Sequence, residues 1–232
     1  MAKLDGMAIV AMVVHYMELG NDFVSRGKAL ERGKVSTYDI IQAVLDGRDN
    51  LQLNPTTRDW KLAELVWNYF KSIPTNYYES HSYMGKLRQI TNSTKITAKQ
   101  IPMIVSMYSA YLREEQKVLN AQKRAQQHEQ DIAKSAHIGS VGDKIEQEVV
   151  LVSVHGFQGM YGWINILKFK NSAGQILVWF SSGDPDNFFG TVNQPLGNYI
   201  GQSFKICGTV KSHDVYKDVK QTKIIRVKNL EV

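Results

Sequence analysis

A chain of 232 residues suits one or two domains with real cores, and 43% hydrophobic with 22% charged residues is the balance of an ordinary soluble globular protein. One cysteine, Cys207, excludes a disulfide framework or a Cys-based zinc site and fits a reducing compartment. The net charge is +6, and its placement matters more than its size.

The most apolar run, Met7 to Val14, is far shorter than the roughly 20 residues that span a bilayer. Lys3 and Asp5 precede it and no small-x-small cleavage site follows. A buried first helix is therefore expected in place of a signal peptide, with a cytoplasmic location and no membrane partner. Asp5 caps this helix, which runs from about Gly6 to Leu19, and Gly20-Asn21-Asp22 ends it. A second, shorter and more polar helix holds Phe23, Val24, Lys28 and Leu30 and stops at Gly33. Ser36-Thr-Tyr-Asp39 has the form of an N-cap with an acid three residues on, and leads into a helix with Ile40, Ile41, Val44 and Leu45.

Asn54-Pro55-Thr56-Thr57 opens a helix to about Ser72, on which Trp60, Leu62, Leu65, Val66, Tyr69 and Phe70 fall at helical spacing and read as core. Another helix is expected over Tyr77 to Gln89. Thr97-Ala-Lys-Gln100 has capping-box form between Ile96 and Ile101, and starts a helix striped by Ile101, Ile104, Val105, Tyr108, Tyr111, Leu112, Val118 and Leu119. This segment resembles a short helical hairpin that recurs in phage and bacterial replication and repair proteins. From Asn120 to Asp131 the sequence is polar all round and reads as an exposed helical extension or linker; Lys117, Lys123 and Arg124 read as a solvated face, with contact to a phosphate backbone as the alternative. The domain boundary is placed after residue 134.

Residues 135–232 read as β. Strands are expected at Val149–His155, Tyr161–Lys170, Ile176–Ser182, Ser203–Lys211 and Gln221–Leu230. The first hairpin loop, His155 to Gly162, carries glycines at 156, 159 and 162 and exposes Phe157 and Tyr161; exposed aromatics on such backbone call for a partner, and a nucleobase is a suitable one. Strand 2 offers Trp163, Lys168 and Lys170, and imperfect alternation leaves the face of Trp163 open. On strand 3 one of Trp179 and Phe180 must face outward. Ser182 to Gly201 is mostly loop, with room for a turn of helix. Strand 4 alternates cleanly, with Phe204, Ile206, Gly208 and Val210 inward and Lys205, Cys207, Thr209 and Lys211 outward.

The connection from Ser212 to Lys220 reads as a loop with Tyr216 and His213 set among Lys211, Lys217 and Lys220, and strand 5 adds Lys223 and Arg226. Residues 203–228 hold seven Lys and Arg against two Asp, a net +5 in 26 residues. Such a ridge attracts polyanions; its alternative is a solvated, Lys-rich sheet edge that discourages aggregation. Five short strands with these loops point to a closed barrel of the OB type. The expected fold is α+β, an all-helical N-terminal domain (1–134) followed by a five-stranded OB-type β-barrel (135–232).

His137-Ile-Gly-Ser-Val-Gly-Asp143, Tyr161-Gly162, Val178-Trp-Phe180, Gly208-Thr-Val-Lys-Ser-His213 and Tyr216-Lys-Asp-Val-Lys-Gln-Thr222 resemble the OB-fold domain of phage-encoded DNA replication and single-stranded-DNA-binding proteins. The resemblance implies a nucleic-acid-binding barrel. Phage single-strand binders often end in an acidic tail that recruits partners, whereas this sequence ends Lys228-Asn-Leu-Glu-Val232, and tail-mediated recruitment is not expected.

No Walker loop, GxGxxG after a strand, GxSxG or HExxH occurs, and the six histidines lack metal-ligand spacing. Asp184 and Asp186 are the one carboxylate pair a metal-dependent nuclease would use, against turn chemistry in a Gly/Pro-rich loop. Cys207 lies between lysines but has no visible His or Asp partner.

The expectation is a non-enzymatic protein without cofactor or metal that binds single-stranded DNA or RNA in replication or recombination. Its candidate contacts are Phe157, Tyr161, Trp163, Lys168, Lys170, Trp179, Lys211, His213, Tyr216, Lys217, Lys220, Lys223 and Arg226. The N-terminal helices are expected to serve self-association or a replication-protein partner. The competing readings are an accessory protein-interaction subunit of a helicase or nuclease machinery, and the nuclease.

Overall fold

A computed structural model describes residues 5–49, 51–74, 81–160, 162–182, 185–190 and 194–231, without the side chains of Asp186 and Asn187. The chain divides into two compact units, Met1–Asn120 and Ala121–Val232.

Each helix of the first unit begins where a short polar side chain satisfies free N–H groups. Helix α1 (Gly6–Glu18) follows Asp5, whose carboxylate accepts from the Met7 N–H, and it buries Ile9, Val10, Ala11, Val13 and Val14. Helix α2 (Arg26–Arg32) starts at the Ser25 cap and ends on Gly33 at φ 60°. Phe23 and Val24, expected inside it, precede it, because Val24 exchanges hydrogen bonds with Thr37: its N–H donates to Oγ1 and its carbonyl accepts the Thr37 N–H. Helix α3 (Thr37–Leu45) is capped by Ser36.

Helix α4 (Thr57–Ser72) opens with a reciprocal capping box between Thr56 and Asp59. Asp59, Ala63, Val66 and Phe70 then form its buried row. Trp60 and Leu65 were expected in the core and are exposed, since the cap turns Asp59 inward and sets Trp60 about 100° round the helix. Helix α5 (Tyr83–Thr91) starts at the Ser82 cap, later than the pattern predicts; Tyr77 and Tyr78 lie outside the described residues. A 3-10 turn (Ala98–Gln100), in which the Thr97 N–H donates to Gln100 Oε1 at 2.8 Å, leads into α6 (Ile101–Lys134). The α6 stripe is buried through Tyr111, whereas Leu112, Val118 and Leu119, expected to continue it, are exposed. No described helix is long and apolar enough to cross a membrane.

In the second unit β1 (Lys144–Gly159), β2 (Gly162–Asn171), β3 (Ile176–Ser182), β4 (Ser203–Tyr216) and β5 (Val219–Asn229) close into a barrel in the order β1-β2-β3-β5-β4. Among the described residues only the β3–β5 pairing is parallel. The fold is therefore α+β with an OB-type barrel. Leu151, Leu167, Phe169, Leu177, Phe204, Ile206 and Ile224 fill the interior. The link from β3 to β4 contains a helical turn, α7 (Asp186–Phe189), and a 3-10 turn (Leu196–Tyr199). These insert Phe188, Phe189 and Tyr199 into the core, with Phe189 and Tyr199 stacked at 4.0 Å.

Both segments expected as binding loops are largely strand. β1 continues past His155 through Phe157, paired with Ile164, and β4 runs on to Tyr216, paired with Val219. The β4–β5 turn is just Lys217 and Asp218, at φ 48° and 64°. Two consecutive positive φ values define the tight hairpin turn that usually takes Asn-Gly. Lys-Asp carries no such signal, so the pattern spreads into an apparent loop.

Candidate nucleic-acid interface

Alternation assigns the outer face of the barrel strand by strand. Asn165, Leu167 and Phe169 of β2 are buried on the core side, which leaves Ile164, Ile166, Lys168 and Lys170 outward. On β3, Leu177 and Trp179 belong to the core cluster; on the other side Ile176 and Val178 are buried in a second, small cluster and Phe180 is exposed. The register aligns these into rows. Phe157 of β1, Ile164 and Ser182 form one, and His155, Ile166 and Phe180 the next. Ser153, Lys168, Val178 and Lys223 of β5 form the third.

Phe157 and Phe180 are 40% and 44% exposed, at two strands' separation and one row apart. Lys223 Nζ stands 5.5 Å from the Phe180 ring centroid and 2.6 Å from Asp214 Oδ2. Through that hydrogen bond and its charge, Lys223 holds the Asp214 carboxyl below its usual range. Tyr216 is exposed at the end of the β4–β5 hairpin, with Lys217 Nζ 5.5 Å from its ring centroid. Its partner Val219 joins Ile176 and Val178 in a small apolar cluster on this outer face.

The other expected contacts go elsewhere. Trp179 packs inward, 5.3 Å from Phe188, so its neighbour Phe180 takes the outward position. Trp163 is exposed at the start of β2; its ring covers Gly156 and its Nε1–H donates to Asn165 Oδ1 at 3.1 Å. A methyl group at Gly156 would stand 2.6 Å from Trp163 Cζ2, which explains the glycine.

Lys170 is bound to Asp131 of α6 at 2.6 Å. Lys211 sits at a register irregularity of β4, and Arg226, at φ 53°, lies in one on β5. His213 stacks on His137 at 4.4 Å, and its Nε2 lies 3.5 Å from the Ile138 carbonyl. Lys220, opposite Val215, takes the other side of the hairpin from Lys223. The cationic ridge is thus distributed around the β4–β5 pair. Tyr161 lies outside the described residues.

The face therefore unites Phe157, Lys168, Lys223, Tyr216 and Lys217, and adds His155, Ile164, Ile166 and Phe180. The clue to Phe180 was its alternation against Leu177, readable once the inward strand face is known.

This arrangement supplies flat apolar rings beside ammonium groups, which is chemistry for stacking bases and contacting phosphates. Among the described residues no group of three His, Cys, Asp or Glu side chains is placed to hold a metal ion. Asp184 and the Asp186 side chain lie outside the described residues. No family model matches the chain, and no curated protein matches it.

Proposed function

We propose that the barrel binds single-stranded DNA across the outer face of β1, β2, β3 and β5, without catalysis, in replication or recombination. The observation that carries this reading is the pair of exposed rings, Phe157 and Phe180, on one face with Lys168 and Lys223. Bases stack on Phe157, Phe180 and Tyr216, while Lys168, Lys223 and Lys217 meet phosphates. Stacking on an aromatic side chain is worth about 1–3 kcal/mol per base and tolerates any sequence. A fluorescein-labelled oligothymidylate followed by anisotropy tests it. Phe157→Ala and Phe180→Ala each weaken binding about 5- to 150-fold, and RNA and duplex competitors rank the preference. Wild-type affinity in both variants overturns the reading.

Ile164 and Ile166 favour one alternative, because they join the two rings into an apolar strip. A protein partner, as in an accessory subunit, would bury that strip. An oligonucleotide that fails to bind while the strip variants lose a protein partner would favour it.

A further inference from the structure

The end of α6 rests on the outer face just described. Lys170, in line with Lys168 on β2, places its ammonium 2.6 Å from Asp131 Oδ1, and the two side chains are 24% and 16% exposed. Among the described residues this is the most enclosed Lys or Arg ion pair. Gln127 Nε2 also donates to Asp131 Oδ1, at 2.9 Å. The stem of Lys134 lies over Gly174 in the β2–β3 turn, where a Cβ would stand 2.9 Å from Lys134 Cβ. Burial pushes the Asp131 carboxyl up, but hydrogen bonds from Lys170 and Gln127 and the charges of Lys170 and Lys168 more than offset it, leaving it below the usual carboxylate range. The carboxylate is thus ion-paired with Lys170, which follows Lys168 along the β2 outer face.

We propose that Asp131 is an internal anionic gate, holding on Lys170 the position a phosphate of the bound strand would take. This rests on the single-strand-binding reading above and adds its regulation. In the free protein the carboxylate neutralises the Lys170 end of the face and leaves the Phe157–Phe180 end open. A strand binds the open end first and reaches Lys170 only by displacing Asp131. Affinity is then lower than the lysine content implies, and any change that removes the Asp131 charge raises it.

The test uses the full chain and a labelled 20-residue oligothymidylate over a salt series. Each freed lysine that gains a phosphate steepens the salt slope by about 0.7, which at 50 mM salt corresponds to about eightfold in affinity. Asp131→Asn is expected to bind about five- to tenfold tighter at that salt, with a slope steeper by about 0.7. Adding Lys170→Gln should abolish the gain.

Wild-type binding that Asp131→Asn leaves unchanged or weakens overturns the gate and leaves the binding reading standing. Failure of both proteins to bind overturns both. A second measurement needs no change at Asp131. With lysines reductively ¹³C-methylated, which keeps their charge, the Lys170 resonance, assigned with Lys170→Arg, should move when the oligonucleotide is added. A Lys170 signal that stays fixed while others move overturns the gate.

Discussion

Phe180 and Trp179 are neighbours with opposite duties, and the distinction is testable. Trp179 packs against Phe188 inside the barrel, so Trp179→Ala should cost about 3 kcal/mol of stability, measured by urea unfolding. Phe180→Ala should leave the unfolding midpoint within about 0.5 kcal/mol while weakening oligonucleotide binding, since surface substitutions seldom disturb the fold. Gly156→Ala should displace the Trp163 ring, visible as a shift in tryptophan emission, and destabilise by about 1–3 kcal/mol.

Asp59, 3% exposed, accepts from the Thr56 N–H and hydroxyl and lies 2.9 Å from His15 Nδ1. Burial pushes its carboxyl up, but the bonds from Thr56 and His15 prevail and hold it below the usual range. A carboxyl whose folded pKa is below its unfolded value adds stability that is present above about pH 4 and lost as pH falls through the folded pKa. Wild-type stability should therefore drop as pH falls below about 4, and Asp59→Asn should flatten that drop and cost about 1–3 kcal/mol at neutral pH. An unchanged acid limb in the variant would contradict this role.

At the scale of elements, the β4–β5 hairpin shows where the pattern was readable and where it was not. The alternation of Phe204, Ile206, Gly208 and Val210 is legible because one strand face is buried along its whole length. Beyond Lys211 the β4 residues are exposed or half-buried on both faces, and alternation stops reporting strand. The turn is equally silent, because Lys217 and Asp218 adopt positive φ without the residues that advertise it. Replacing Lys217-Asp218 with Asn-Gly should raise stability by about 1 kcal/mol, read as a higher melting temperature, by removing strain at two left-handed positions.

Helix α4 gives the complementary case. Its cap and length were readable, but its buried row was set by an acidic residue, Asp59, that hydropathy assigns to solvent. The outer face was legible in composition, through its lysines and aromatics. The exchange of Trp179 for Phe180 and the loss of Lys170 to Asp131 depend on register and on a tertiary ion pair, which spacing in the chain does not encode.

At the scale of the molecule, two units of contrasting construction share one chain. Met1–Asn120 is a helical body whose core is drawn from α1, α3, α4, α5 and α6. Ala121–Val232 carries the last turns of α6 and the barrel. The +5 of residues 203–228 surrounds the β4–β5 pair, so its field is broad, while the exposed rings of Phe157 and Phe180 sit on a single face. Binding should therefore be general for single strands, with affinity set by salt and stacking together.

The most direct measurement is a titration of the full chain with labelled oligothymidylate between 50 and 200 mM salt. Engagement of about three phosphates predicts a log–log slope near −2 and a loss of about 16-fold over that range, with Phe180→Ala weaker throughout. Absence of binding at 50 mM salt, or binding indifferent to Phe157 and Phe180, would contradict the account.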